Sequence, residues 1–505
     1  MKILLVYPQY PDTFWSYRHA LRIAAKRAAF PPLGLLTVAA MLPQEWDMKL
    51  VDMNATPLKD EDIRWADYVF ISAMVVQRNS VGEVIRRCKK LNAKMVAGGP
   101  LFTAAYEEFE EVDHLVLDEA EVTLPPFLED LEKGCAKQIY TSKERPDLSR
   151  TPLPLWSLLN LNKYTTMSLQ YSRGCPYNCE FCDIIILNGN RPRTKSKAQI
   201  LAELDALYNR GWREGVFIVD DNFIGNKRKL KEEILPALIQ WQKERKYPHG
   251  LLTEASINLA DDEELMRLMA EAGFDTVFIG IETPNEASLA ECSKNQNRGR
   301  DLVASVKKVQ NYGLQVQGGF ILGFDSDPDS IFKSMINFIQ GTGIVTAMVG
   351  LLNAPPETRL YQRLKKENRL LDNINISGDN TDCSMNFIPK MDREMLINGY
   401  RHIMSTIYSP KEYYRRVKIL FKEYKPQRTK RLSQIRFWHI RAFIRSMWFL
   451  GVKERGRRQY WRFFVSTLLR HPRSFPLSMA LAVYGSHFRT VARKYIGSPV
   501  KDAPA

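Results

Sequence analysis

A repeated pattern narrows the fold more than any single residue does. From the first residues to about residue 370, short apolar runs alternate with longer amphipathic stretches. The runs at 3–7, 48–52, 68–73, 94–97 and 114–117 are nearly all apolar, the pattern of strands buried on both faces of a parallel sheet. Five such strands with helices between them predict a doubly wound, Rossmann-like α/β domain over residues 1–140, with ligands beyond the carboxyl ends of the strands. A second series at 167–171, 216–219, 250–255, 276–280, 315–322 and 346–351 predicts six strand–helix units over 160–372. One of the helices between them, 197–208, carries Ile200, Leu201, Leu204 and Leu207 on one face. From 373 to 505 the strand pattern stops. An Asn-rich crossing with Gly378 and Pro389 leads into a helical, basic region.

Just after the first strand of the second series comes Ser172-Arg173-Gly174-Cys175-Pro176-Tyr177-Asn178-Cys179-Glu180-Phe181-Cys182-Asp183. Cys175, Cys179 and Cys182 supply three thiolates at C-x3-C-x2-C spacing, with no fourth Cys or His nearby in sequence. Structural zinc asks for four ligands, usually in C-x2-C pairs. Iron–sulfur cubanes normally take four cysteines. Three leave one iron open, which is useful when a substrate or cofactor completes it. The open cubane is preferred here over zinc or inert buried thiols. The other cysteines, Cys88, Cys135, Cys292 and Cys383, are scattered and read as buried free thiols. An oxygen-sensitive cluster and an odd total of 7 cysteines point to a reducing, cytoplasmic setting.

Composition bears on partners. The chain carries 72 Lys/Arg and 57 Asp/Glu, but residues 411–505 alone hold 23 and 4, so the basic excess belongs to the last segment. Aromatic residues interleave with those cations, and Trp461, Phe464, Val465 and Leu468 form a stripe at helical spacing. Such helices suit an anionic membrane surface. RNA binding and a merely solvated basic face are the competing readings. The opening run reads as a strand and not a signal peptide, and no stretch has the roughly 18 uninterrupted apolar residues of a membrane span.

With Phe181 directly before the last cysteine, the loop resembles that of the radical S-adenosylmethionine (SAM) enzymes. The resemblance implies a partial, TIM-like (β/α)6 barrel and a 4Fe-4S cluster on Cys175, Cys179 and Cys182. It also implies SAM chelating the open iron and yielding a 5′-deoxyadenosyl radical on one-electron reduction. The SAM-binding residues it implies are Phe181, Asp220, Asp221, Asn222, Ser256, Glu282, Gly319, Phe320 and Leu322. From the residues alone, Asp220-Asp221-Asn222 also reads as an Asx turn, Glu282 as a helix N-terminal charge, and Gly318-Gly319 as a bulge. Arg191-Pro192-Arg193-Thr194-Lys195 reads either as a solvated turn or as a face toward an acidic part of a cofactor.

Upstream, small and acidic residues fall at the strand ends in an order that resembles the cobalamin-binding subclass. Pro32, Gly34, Ser72, Met74, Gly98, Gly99, Glu119 and Glu121 are the cobalamin-binding residues this implies, with Asp118 where the last motif usually begins with Gly. The Asp-x-His-x-x-Gly motif that supplies an axial imidazole is absent, and only His19 and His114 lie in the domain. A cobalamin without a protein imidazole below it is therefore expected. Together with Glu254-Ala255-Ser256-Ile257-Asn258-Leu259 and Asn386-Phe387-Ile388-Pro389-Lys390-Met391, these motifs resemble the hopanoid C-2 methylase subfamily. The resemblance implies methyl transfer to an unactivated carbon of a hydrophobic substrate, hopanoid or other lipid. A flavodoxin- or ferredoxin-type electron donor and a peripheral position at the inner face of the membrane go with it. Cyclisation, carbon–carbon coupling or oxidation with the same cofactors, RNA modification and a non-catalytic cobalamin sensor are the alternatives.

Overall fold

In a computed structural model of the protein, which describes residues 1–371, 376–379, 381–426 and 437–496, the first apolar run is strand β1, Lys2–Tyr7. It is followed by β2 (Asp47–Asp52), β3 (Tyr68–Ser72), β4 (Lys94–Gly98), β5 (His114–Val116) and β6 (Ile139–Tyr140). These form one parallel sheet in the order β2-β1-β3-β4-β5-β6. Side chains alternate across it. Leu4 and Val6 pack with Val81, Val84 and Ile85 of the helix Arg78–Lys90, whereas Ile3 and Leu5 pack on the other face with Leu35 and Phe127. Burial on both faces is what makes the strands read as unbroken apolar runs. Sequence reading missed β6, because two residues carry no periodicity.

The chain divides into two compact units. One comprises Met1–Pro11, Arg27–Pro176 and Ile184–Asp220; the other comprises Asp12–Lys26, Tyr177–Asp183 and Asp221–Ala505. The first unit also contains β7 (Thr166–Leu169), β8 (Ser172–Arg173), β9 (Arg193–Thr194) and β10 (Gly215–Ile218). β7 and β10 pair in parallel, and β8 and β9 form a short antiparallel ribbon. The ribbon was not foreseen: the chain leaves the strand direction after Leu169, where sequence reading carried the strand on to residue 171.

In the second unit β11 (Leu251–Glu254), β12 (Phe274–Glu282), β13 (Gln315–Leu322) and β14 (Ala347–Leu351) are parallel neighbours in that order. Helices follow each strand, among them Glu263–Glu271, Leu302–Asn311, Ile331–Thr342 and Arg359–Lys366. Their starts are set by side chains that accept the first free amide protons: Asp262, Asp301 and Thr358 each cap a helix. β12 outruns its apolar core at both ends, since backbone pairing extends it over Asp275 and Glu282.

The C-terminal part folds into helices Arg393–Ile407, Pro410–Glu423, Phe437–Trp448, Arg457–Arg470 and Phe475–Ile496. The spacing of Tyr400, Ile403, Thr406 and Ile407 predicts one buried helix face; Tyr400, Ile403 and Ile407 are buried and Thr406 is half-buried at its edge. Not all of the basic residues face water. Arg416 is fully buried and donates to Gln340 Oε1 at 2.8 Å and to the carbonyls of Ile407 and Val345 at 2.7 and 3.0 Å. Phe14 stacks on Phe488 at 4.1 Å, so the segment after β1 packs with the last helix. The boundary placed at 372/373, and 427–436 and 497–505 of the basic tail, lie outside the described residues.

Candidate functional site

In the first sheet β2 lies on one side of β1 and β3 on the other, which makes the carboxyl ends of β1 and β3 a topological switch point. Tyr7 and Tyr10 meet there, their rings 5.7 Å apart, and the Tyr10 hydroxyl reaches Met74 Sδ at 3.5 Å. Met74 is 48% exposed despite its size. Ser72 ends β3 and Gly98 ends β4. Gly99 has φ +92°, and a Cβ on it would stand 2.6 Å from Ser72 Oγ; one on Gly98 would strike the Val116 carbonyl. The glycines are thus needed by neighbouring strand ends. Pro32 is buried at the start of the helix Leu33–Met41, while Gly34 is exposed with open space beside it.

After β5 Asp118 takes φ +59°, the left-handed region that Asp tolerates better than most residues. Its amide donates to Thr103 Oγ1 at 2.9 Å, and its carboxylate accepts from Thr141 Oγ1 at 2.6 Å. Asp therefore does conformationally what Gly does in the usual motif. Beyond it, Glu119 and Glu121 are buried and face arginines. Arg173 donates to Glu119 at 2.7 Å and to both oxygens of Glu121 at 2.8 and 3.0 Å. Arg193 forks onto Glu119 at 2.8 and 3.0 Å. Burial pushes the Glu121 carboxyl up, but the Arg173 guanidinium outweighs it and holds the group at about 2. The basic stretch 191–195 is accordingly no solvated turn: Arg193 meets Glu119, and the buried Lys195 pairs with Glu203.

The same unit grips the entry to the cysteine loop. Asp220, buried at the end of β10, accepts from the Tyr171 amide at 2.8 Å and the Ser172 hydroxyl at 2.6 Å, so it fixes the ribbon that precedes Cys175. Gly174 has φ +95°, and its would-be Cβ would lie 2.9 Å from the Arg191 and Gly189 carbonyls. The Cys175 amide donates to Gly189 O at 3.3 Å.

Cys179 and Cys182 belong to the second unit, where the Cys182 amide donates to Cys179 O at 3.2 Å. Between them Glu180 receives a bidentate Arg363, at 2.8 and 3.0 Å, and its amide donates to Cys292 O at 2.9 Å. The Phe181 ring lies 6.2 Å from that of Phe324. Lys294 Nζ is 6.0 Å from the Phe181 ring centre and 2.6 Å from Glu282 Oε1. Burial pulls the Lys294 ammonium down, but Glu282 and the Cys179 and Cys182 sulfurs outweigh it and keep it charged. Glu282 has φ +64°, and Gly280 leaves the room its side chain needs. Gln296 Nε2 approaches Cys179 Sγ at 3.8 Å. Cys292 is buried, its thiol pushed up to about 12 by burial and by Glu282; of the other scattered thiols Cys88 is buried, Cys383 half-buried and Cys135 exposed, so burial does not hold for all four.

Among the described residues no three His, Cys, Asp or Glu side chains converge as for a single bound ion. A cubane asks for something different: three thiolates held apart by the width of the cluster, in a setting that favours negative charge. In the second unit the Lys294 cation beside the Cys179 and Cys182 sulfurs gives those two thiolates such a setting.

Beyond β11, within the second unit, a polar chain runs to Tyr177 of the loop. The Ser256 amide donates to Asn222 Oδ1 at 3.2 Å, the Ser256 hydroxyl to Asn258 Oδ1 at 2.6 Å, and Asn258 Nδ2 to the Tyr177 hydroxyl at 2.7 Å. Asp221 precedes this chain. Gly319, Phe320 and Leu322 lie on β13, where Phe320 is buried against Phe338 and Gly319 makes room for the Phe278 ring. Sequence reasoning did not single out Lys294, Gln296 or Arg363, and it named Arg193 and Asn258 only within longer motifs. His114 Nδ1 donates to the Lys137 carbonyl at 2.7 Å within the first sheet, and His19 pairs with Asp12 at 2.9 Å in the second unit.

Residues 169–339 match the model of the radical SAM superfamily, residues 22–128 that of the B12 binding domain, and residues 358–498 a domain of unknown function, DUF4070. The chain is 42% identical to the uncharacterized methyltransferase sll1242 of Synechocystis sp. (strain ATCC 27184 / PCC 6803 / Kazusa), over 99% of this chain and 94% of that protein. It is 33% identical to the hopanoid C-2 methylase of Rhodopseudomonas palustris (strain TIE-1), over 93% and 90%. Among solved structures, the radical S-adenosylmethionine methyltransferase TsrM from Kitasatospora setae superposes with a TM-score of 0.62 at 13% identity, covering 92% of this chain and 99% of TsrM, a likeness of fold. A switch-point sheet with a B12-binding match, a three-cysteine loop within a radical SAM match, and near full-length identity to methyltransferases lead to one assignment. The chain belongs to the cobalamin-binding radical SAM methyltransferases, enzymes of a 4Fe-4S cluster, SAM and cobalamin.

Proposed function

We propose that this enzyme transfers a methyl group to an unactivated carbon of a membrane lipid of the hopanoid or a similar polycyclic class. The observation that carries the reading is the 33% identity to a hopanoid C-2 methylase across 93% of the chain, helical C-terminal part included. An unactivated carbon has no acidic proton, so none of the carboxylates or lysines here could prepare it by general-base catalysis. Bound together, the cluster, SAM and cobalamin supply a hydrogen-abstracting radical and a transferable methyl group.

The chain's own part is to hold and shield. Cys175, Cys179 and Cys182 carry the cluster, with Phe181 beside it. Asp221, Asn222, Ser256 and Glu282 orient SAM through its amino group and ribose hydroxyls, while Gly319, Phe320 and Leu322 offer β13 backbone to its adenine. Asp220 fixes Tyr171 and Ser172, just ahead of Cys175. Pro32, Gly34, Ser72, Met74, Gly98, Gly99, Glu119 and Glu121 border the corrin. A low-potential donor of the flavodoxin or ferredoxin type delivers the electron, and the enzyme works peripherally at the inner face of the membrane. Anaerobically reconstituted enzyme, given CD3-labelled SAM and a total lipid extract, should place the deuterated methyl in a polycyclic lipid. Label in RNA or a polar metabolite would overturn the substrate class. A converted lipid without label would overturn methyl transfer.

A further inference from the structure

The helices Phe437–Trp448 and Arg457–Arg470, joined by the π-helical turn Phe449–Lys453, form a hairpin with an unusual outer face. Its inner face is ordinary core: Leu450, Tyr460 and Phe463 are buried. The two arms are locked. The Trp461 indole donates to Gly451 O at 3.0 Å, and a Cβ on Gly451 would stand 2.8 Å from that ring, so glycine is required for the arms to close. Phe443 stacks on Phe464 at 6.2 Å.

Outward, the first arm presents Ile440, Ile444 and Trp448, one helical turn apart, and the second presents Trp461, Val465 and Leu469 at the same interval. Ile444 is 57% exposed, Val465 51% and Leu469 75%. Of the 16 large hydrophobic side chains exposed among the described residues, nine fall between 440 and 469, a patch rather than the scatter any soluble surface shows. Cations frame it. Residues 437–473 contain nine Lys/Arg and one acid, and that acid, Glu454, is turned inward onto Arg489 at 2.8 Å. Arg441, Arg458 and Arg462 stand exposed beside the stripe. Among the described residues no helix is long and apolar enough to cross a membrane, so the face suits lying on a bilayer.

We propose that this hairpin face docks the enzyme on an anionic lipid bilayer, with the aliphatic and indole side chains entering the headgroup boundary and the arginines pairing with lipid phosphates. It rests on the lipid reading above only in taking a membrane as partner. An RNA duplex would use the arginines but would leave Ile444, Val465 and Leu469 against water.

The full-length protein is tested by co-sedimentation with vesicles of phosphatidylcholine alone or mixed with phosphatidylglycerol. It should bind the mixed vesicles well and the neutral ones weakly. The triple variant Ile444→Ser, Val465→Ser, Leu469→Ser should lose more than tenfold in binding with its melting temperature kept, since all three side chains are already exposed. Arg441→Gln, Arg458→Gln and Arg462→Gln should each cost about fivefold, and only on the anionic vesicles. No binding to either vesicle, unchanged binding by the triple variant, or tighter salt-sensitive binding to RNA than to vesicles would each overturn the docking face. Methylation of detergent-dispersed lipid by a chain that ignores vesicles would remove this proposal and leave the lipid substrate standing. Docking without any lipid methylation would do the reverse.

Discussion

Replacing Glu121 by Gln should destabilise the first unit by about 3 kcal/mol at neutral pH. The carboxyl is held at about 2 against an ordinary 4.5, and each pKa unit is worth 1.36 kcal/mol of preference for the charged form. The side chain is only 3% exposed, so solvent screening takes little from that figure. Breaking a buried pair by removing one partner typically costs about 3–5 kcal/mol, which brackets the same value from a different direction. The sign with pH follows. A carboxyl whose folded pKa is depressed stabilises above its unfolded value and loses that contribution as pH falls toward its folded one. The difference between wild type and Glu121→Gln should therefore be full above about pH 5 and fade as pH falls toward 2. Urea unfolding followed by hydrogen exchange at the amides of β4 and β5 reads the first unit by itself. Glu121→Gln, Arg173→Met and the double variant close a thermodynamic cycle whose coupling should reach about 2 kcal/mol or more. A coupling below about 0.5 kcal/mol, or a difference that does not change between pH 7 and pH 3, would refute the reasoning.

Cys175→Ala, Cys179→Ala and Cys182→Ala should each abolish the iron–sulfur absorbance after anaerobic reconstitution and the release of 5′-deoxyadenosine, while bound corrinoid persists; iron analysis and chromatography report both. Gly99→Ala forces a side chain to φ +92° and against Ser72 Oγ, so it should cost about 1–3 kcal/mol in thermal unfolding, and Ser72→Ala should relieve the clash but not the backbone strain. Lys294→Met removes the cation that faces the Cys179 and Cys182 sulfurs and leaves Glu282 buried without its partner. The cluster potential, followed by electron paramagnetic resonance during redox titration, should move negative; an unchanged potential would show that the ammonium does not act on the cluster.

The barrel-type strands were legible where apolar runs met glycine. β13 occupies 315–322 as the sequence pattern predicts, because Val316, Phe320 and Leu322 are core and the paired glycines mark where rings crowd the backbone. The ribbon β8–β9 was invisible, since two residues per strand hold no period, and its discovery is what brings Arg193 to Glu119 across 74 positions of sequence. Lys294 left no signal either: it sits 12 residues past Glu282 in a polar loop, and only the folded backbone aims its ammonium at Phe181. The basic tail was read as a whole, yet Arg416 and Arg489 are buried and bonded, so net charge overstated the cations available to a partner. Motif reading recovers residues that chemistry demands locally. It cannot recover the distant charges that hold them.

Those charges follow a logic that the cysteine loop itself imposes. Three thiolates meant for a cluster and a cofactor cannot be packed in apolar side chains, because the space beside them must stay open to ligands. The loop must then be held from its ends. In the first unit its entry is fixed by Asp220 on the Ser172 hydroxyl and by Arg173 on Glu119 and Glu121. In the second, the residue between Cys179 and Cys182 is fixed by Arg363, which also reaches Asp325 at 2.8 Å and Glu291 at 3.3 Å. Buried ion pairs of this kind add little net stability over apolar packing of the same volume, but a forked guanidinium fixes its carboxylate in both distance and direction. A loop that must present sulfurs at set positions gains more from that geometry than from burial. Substituting both members of such a pair with apolar residues should accordingly spare folding while loosening the cysteines, which separates what these arginines do for the site from what they do for the fold.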